Sequence, residues 1–308
     1  MDYTRQTAFS DPGRHRDRLT ALPGDIAGIG AVVRNVLVHY RASGLDFPPD
    51  RLAEIDNRWV SRILDSFPFD GPLSTPCPEQ DRVVGCCRDY TLVSVAALRA
   101  HGVPARSRIG FADYFDAGFH GDHVIVEWFD GSRWVATDTQ LDPGAGFPVD
   151  VLDVPFGPGG LRTAAQAWRA FRREEDDPLR YGVGPGSPIR GPLMIRHYVL
   201  AELAHRMGDE LLLWDLWGDS LAGLGPEPFL ETWASVPPDW PGDDPELIDE
   251  IADLLLAADA GDQPAERKLA ERYATDPRLY PGDVISCHSP REVVYEVDLR
   301  WGRFAPVP

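Results

Sequence analysis

The chain has 308 residues, 43% of them hydrophobic, enough to bury a substantial core without disulfides or a structural metal. Lys and Arg number 30 against 49 Asp and Glu, a formal charge of −19 that opposes binding to nucleic-acid phosphates or anionic lipid. The four cysteines, Cys77, Cys86, Cys87 and Cys287, include two sequence neighbours, which excludes a framework of bridges and suits a reducing compartment. The polar N-terminus carries no apolar signal core and no uncharged apolar run approaches the ~20 residues that span a bilayer. A cytoplasmic protein with neither nucleic-acid nor membrane partners is therefore expected.

From about Gly24, the spacing of Ile26, Ile29, Val32, Val33, Val36 and Leu37 predicts a helix, and Leu52, Ile55 and Ile63 a second helical stretch. Together they make an N-terminal helical layer over 20–65. Residues 66–84 are rich in Pro and turn formers and read as an irregular segment. A helix follows from Cys87 to Ala100, opened by Gly85 and closed by His101-Gly102. Strands are expected at 104–111, 123–129 and 133–138, the last two flanking Asp130-Gly131-Ser132. Beyond Pro143 the pattern turns mostly helical, with helices expected over 163–173, 192–207 and 246–258 between Gly/Pro-rich loops, and the tail VVYEVDLRWGRF alternates as a strand does. The expected organisation is a single domain over 1–308, with a core at about 66–145 and a mostly helical extension over 146–308.

The chemistry concentrates in the core. A cysteine nucleophile reacts as the thiolate, which a helix N-terminus and a nearby imidazole both favour. Cys87 stands where the apolar helical period begins, so the helix dipole would stabilise its anion. His123 lies on the strand HVIVEWF and Asp138 ends the strand RWVATD. If Gly131-Ser132 makes a two-residue type II′ turn, facing residues sum to 263, so that Ile125 faces Asp138 and His123 faces Gln140. His123 and Asp138 then share one face as diagonal neighbours, about 7–8 Å apart at most between Cβ atoms. A one-residue slip would separate them. In that register the carboxylate can orient one imidazole nitrogen while the other addresses Cys87.

GCCRDYTLVSVAALRAHGVPARSRIGF, followed by DHVIVEW and WVATDTQLD, resembles the three core motifs of the transglutaminase-like superfamily: Cys at a helix start, then His and Asp on adjacent strands. The resemblance covers roughly 80–142, and the outer segments IRGPLMIRHYVLAEL and LLLWDLWGD resemble those of bacterial members whose function is unassigned. It implies an α+β, papain-like transglutaminase core, with the Cys-bearing helix packed on an antiparallel sheet and helical extensions at both ends. It also implies roles: Cys87, which precedes Arg88-Asp89, as nucleophile, His123 as base and Asp138 as orienting carboxylate. Val124 departs from the aromatic residue that often follows the catalytic His. The implied activity is acyl transfer through a thioester, without cofactor, on a small-molecule or peptide acyl donor. Water as acceptor gives hydrolysis, an amine gives a new amide, and a non-catalytic scaffold that binds a protein partner is the alternative from another class.

An oxyanion hole is also required, with the Cys87 backbone N–H as one donor and Gln80 as the candidate for the other. Asp89 either supports the site or satisfies an exposed first turn. Cys86 is expected to face the core, with a resolving thiol as the alternative. Glu127 shares the His123 face by strand parity and reads as a pocket wall or a solvated residue. Trp128, Trp134, Trp214 and Trp217 read as core. Cys287-His288 lacks a CxxC partner, and Cys77 with Cys86 lacks zinc spacing, so no metal is expected.

Overall fold

The computed structural model describes residues 1–221, 233, 237, 240–300 and 303–306. The chain forms two compact units, each assembled from separate stretches: Met1–Arg108, His123–Phe156 and Gly208–Leu212 in one, and Ile109–Asp122, Gly157–Met207 and Leu213–Pro308 in the other. Among the described residues no helix is long and apolar enough to cross a membrane.

In the first unit the helix Ile26–Val36 starts where Asp25 accepts the Gly28 amide at 2.8 Å, and its apolar stripe of Ile26, Ile29, Val32, Val33 and Val36 is buried. The sequence pattern carried this helix through Leu37. The chain instead turns extended there and forms the strand Leu37–His39, parallel to Val83–Gly85 in the register Leu37↔Val83, Val38↔Val84, His39↔Gly85. Val83 and Val84 offer a fully buried β-branched partner, and that pairing overrides the helical period. Two short helices, Pro49–Leu52 and Val60–Asp65, complete the N-terminal layer.

The helix Cys87–Ala100 has the expected bounds. At its end the Val103 amide bonds the Leu98 carbonyl at 2.9 Å, with Gly102 at φ +74°, a Schellman stop that only a left-handed residue allows. All of its residues up to Arg99 are buried. It is tied to the sheet by Thr91 Oγ1, which donates to the Val124 carbonyl at 2.8 Å. In the sheet of this unit the stretch 123–129 lies between 105–108 and Trp134–Thr137. Its hairpin with Trp134–Thr137 has the expected register, Val126↔Thr137 through Phe129↔Trp134, each pair summing to 263. Gly131 takes φ +102° in the turn, and the Asp130 side chain accepts the amides of Ser132 and Arg133. An antiparallel sheet with the cysteine-bearing helix packed on it is the α+β core that the sequence implies.

In the second unit the two long strands run past the expected 104–111 and 123–129, out to Asp116 and back from Phe119 around Gly118 at φ +79°. Ala105–Asp116 pairs there with Leu161–Thr163, and Phe119–Phe129 with Tyr181–Gly182. Gly110 is needed at the first junction, because a Cβ there would stand 2.1 Å from the Arg162 carbonyl oxygen. The helices Ala164–Arg172, Pro192–Met207 and Pro245–Asp259 match expectation, and Thr163 with Gln166 forms a capping box on the first. A further helix, Gln263–Thr275, went unread although Asp262 caps it. The unit also holds a four-stranded antiparallel sheet of Asp215–Leu216, Val284–Ser289, Val293–Asp298 and Arg303–Pro306. The expected tail strand is thus two strands, and Trp301-Gly302 lie outside the described residues. Cys287 and His288 are buried within Val284–Ser289. Trp214 and Trp217 are core, whereas Trp128 and Trp134 are half-buried.

Candidate active site

Cys87, His123 and Asp138 lie together in the first unit, each at most 5% exposed. The hairpin ladder stops at Val126↔Thr137; one residue on, the Asp138 amide donates to the Val151 carbonyl at 2.8 Å instead of to the neighbouring strand. Asp138 Oδ2 sits 2.7 Å from His123 Nε2, and Oδ1 accepts the Gln140 amide at 3.1 Å. The His123 side chain is also hydrogen-bonded to that of Cys87. Burial would lower the affinity of this imidazole for its proton, but the Asp138 carboxylate and then Cys87 outweigh burial and raise its pKa to about 10.

The Cys87 thiol is held well below the ordinary thiol range. The Cys86 thiol, donating to it, is the largest cause; burial opposes; His123 and His39 add further hydrogen bonds. Cys86 is pushed the other way, by its bond to Cys87 and by burial, so the proton stays on Cys86. These shifts together favour a Cys87 thiolate beside a His123 imidazolium. Cys86 is buried, as expected, yet it does not turn away from Cys87: the two side chains are hydrogen-bonded.

Asp89 caps its helix from inside the protein. It is 1% exposed, not a solvated first-turn residue, and its Oδ2 accepts the Cys86 amide at 2.8 Å, fixing the entry to the helix. Gly85 makes room for this cap, since a Cβ there would meet Asp89 Oδ2 at 2.8 Å. Arg88, fully buried, donates to Asp89 Oδ1 at 2.9 Å. Glu127 is neither pocket wall nor solvated: it is 5% exposed and accepts from Arg106 and Arg108 on the adjacent strand. Val124 is buried and its carbonyl anchors Thr91. Gln80 is exposed, and the group that binds is its backbone carbonyl, to Arg51 at 3.2 Å.

His39 is the residue that sequence reasoning missed. The helical spacing of Ile26 to Leu37 gave it no role, and only recognition of the parallel strand pair would have shown that it runs alongside Gly85, two residues before Cys87. Among the described residues no group of three or more His, Cys, Asp or Glu could hold a metal ion.

With this geometry in hand, comparison with known proteins is informative in one place. Residues 56–139 match the model of the transglutaminase-like superfamily, and the match contains Cys87, His123 and Asp138. That segment is similar to the transglutaminase-like superfamily. The match takes in less than a third of the chain. A solved structure of a candidate cysteine protease from Cytophaga hutchinsonii aligns with 54% of this chain at 18% identity and a TM-score of 0.31. The alignment spans 47% of that protease's length. No curated protein matches the sequence.

The Cys87–His123 pair has a measurable signature. A group whose pKa is lowered on folding is already deprotonated below its ordinary range, so the Cys87 thiolate should persist at neutral pH. Alkylation of Cys87 by iodoacetamide should then change little between pH 7 and pH 8.5, where an ordinary thiol gains about fifteen-fold. The His123 partner holds until the pH rises through about 10. Peptide mapping of the alkylated cysteine measures this, and an ordinary-thiol rise would refute the resting ion pair.

Proposed function

We propose that the protein is a cysteine acyl-transfer enzyme that works through a thioester on Cys87. The observation that carries the reading is the row of Cys87, His123 and Asp138, with His123 Nε2 held by Asp138 at 2.7 Å and the imidazole hydrogen-bonded to Cys87. The Cys87 sulfur pair forms a bond to the donor's carbonyl carbon while the C=O π pair moves to oxygen. Collapse of the tetrahedral species expels the amine or alkoxide, which leaves with the proton of His123. An acceptor then gives its proton to the neutral imidazole and attacks the thioester, and collapse of that second tetrahedral species expels the Cys87 thiolate beside the imidazolium, the starting pair. Water completes an amide or ester hydrolysis; an amine completes a new amide. The backbone N–H of Cys87, at the first turn of its helix, is one oxyanion donor.

Intact-mass measurement tests the reading. Exposure to p-nitrophenyl acetate should add one acetyl group to Cys87, and added amine should divert the acyl group to an amide if the enzyme is a transferase rather than a hydrolase. An unmodified Cys87 would favour instead the scaffold alternative, in which the core binds a protein partner.

A further inference from the structure

Three groups bond the Cys87 sulfur: the Cys86 thiol, His123 and His39. Two of them have other duties or poor access. His123 must deliver its proton to the leaving group, and Cys86 is 3% exposed and only a weak donor. His39 differs in both respects. It is partly exposed, and its ring is fixed from behind: Nδ1 accepts the amides of Arg41 and Ala42, each at 3.1 Å. A ring nitrogen that accepts two amides carries no hydrogen, so the ring proton sits on Nε2, and Nε2–H is the donor that reaches the sulfur. The backbone holds the ring in register as well. The pair His39↔Gly85 and the bond from the Tyr40 amide to the Gly85 carbonyl at 3.0 Å lock the end of this strand to the residue that leads into the Cys86-Cys87 helix start.

We propose that His39 is a catalytic residue of the acyl transfer, the second oxyanion-hole donor. The proposal rests on the reading of Cys87 as the nucleophile. When the sulfur bonds the carbonyl carbon, its negative charge passes to the carbonyl oxygen, about 3 Å from the sulfur. A donor that was solvating the thiolate needs only a small shift to solvate that oxygen. The Cys87 backbone N–H and His39 Nε2–H then flank it. In this role His39 gives up no proton and therefore stabilises charge without competing with His123. Gln80, the donor suggested by sequence, is exposed and engaged through its backbone instead.

Two reactions of the same sulfur separate this role from simple support of the thiolate. Acylation by p-nitrophenyl acetate builds an oxyanion; alkylation by iodoacetamide builds none. Measured at about pH 8.5 on the full chain, H39A should lose about 10²-fold in the acylation burst, as loss of one oxyanion donor does, while its alkylation rate falls far less. H39Q, which restores an N–H donor, should recover part of the acylation rate. Equal losses in both reactions, or no loss in either, would overturn the proposal. A wild-type protein that is alkylated but never acylated would instead overturn the reading of Cys87 as an acyl carrier, and this proposal with it.

Discussion

C87A should lose at least about 10³-fold in turnover of any acyl donor while retaining the fold. Cys87 is the first residue of its helix, a position where alanine is well tolerated, and the cap that starts the helix is made by Asp89 on the Cys86 amide, not by Cys87 itself. D138A should fail for a different reason. Burial by itself favours the neutral imidazole at His123, and the Asp138 carboxylate is what raises that pKa to about 10. Without it the imidazolium is lost at neutral pH, the thiolate loses its counter-charge, and the Cys87 pKa moves upward. D138A should therefore react slowly near pH 7 and recover alkylation, but not acyl transfer, as the pH rises through the ordinary thiol range. C86A should keep measurable turnover, because Cys86 donates one bond to the sulfur but takes no part in bond making. Turnover and thermal melting of the three variants together check the assignment, and a fully active C87A would end it.

The parts of the site that were legible in the sequence are those fixed by local rules. The helix Cys87–Ala100 is bounded by a glycine, a run of apolar period and His101-Gly102, and the hairpin register follows from one turn, Gly131-Ser132, whose geometry leaves a single pairing. That register is what brings His123 to Asp138. What was not legible depends on partners far away in the chain. Leu37–His39 reads as the last turn of a helix until Val83–Gly85 is placed beside it, so the imidazole of His39 could not be located next to Cys87. Glu127 looks solvated on its own strand, whereas Arg106 and Arg108, alternating on the neighbouring one, make it a buried acceptor. Asp89 was ambiguous because a helix's first turn is usually wet; here the buried Arg88 beside it shows that this one is not.

Arg88 itself should be among the least replaceable residues for stability. Its guanidinium is fully buried and ties the start of the catalytic helix to three other points: the carbonyl of Glu210 at 3.2 Å from Nε, the carbonyl of Asn57 at 3.3 Å, and the carbonyl of Arg58. It also holds the Asp89 carboxylate at 2.9 Å. R88M fills comparable volume but leaves a carboxylate buried without its cation and several carbonyls without donors. Breaking one side of a buried pair costs about 3–5 kcal/mol, and the orphaned carbonyls act in the same direction. Asp89 is already raised by burial, with Arg88 the largest opposing influence, so in R88M its carboxyl would take up a proton and cap the Cys86 amide less well. Loss of stability should therefore come with slower acylation at Cys87. The double variant R88M/D89A removes both charges and should regain part of the lost stability but not the acylation rate, since the cap is gone. Urea unfolding of the two variants decides the point: a loss below about 1 kcal/mol in R88M would mean that the buried guanidinium is dispensable to the fold.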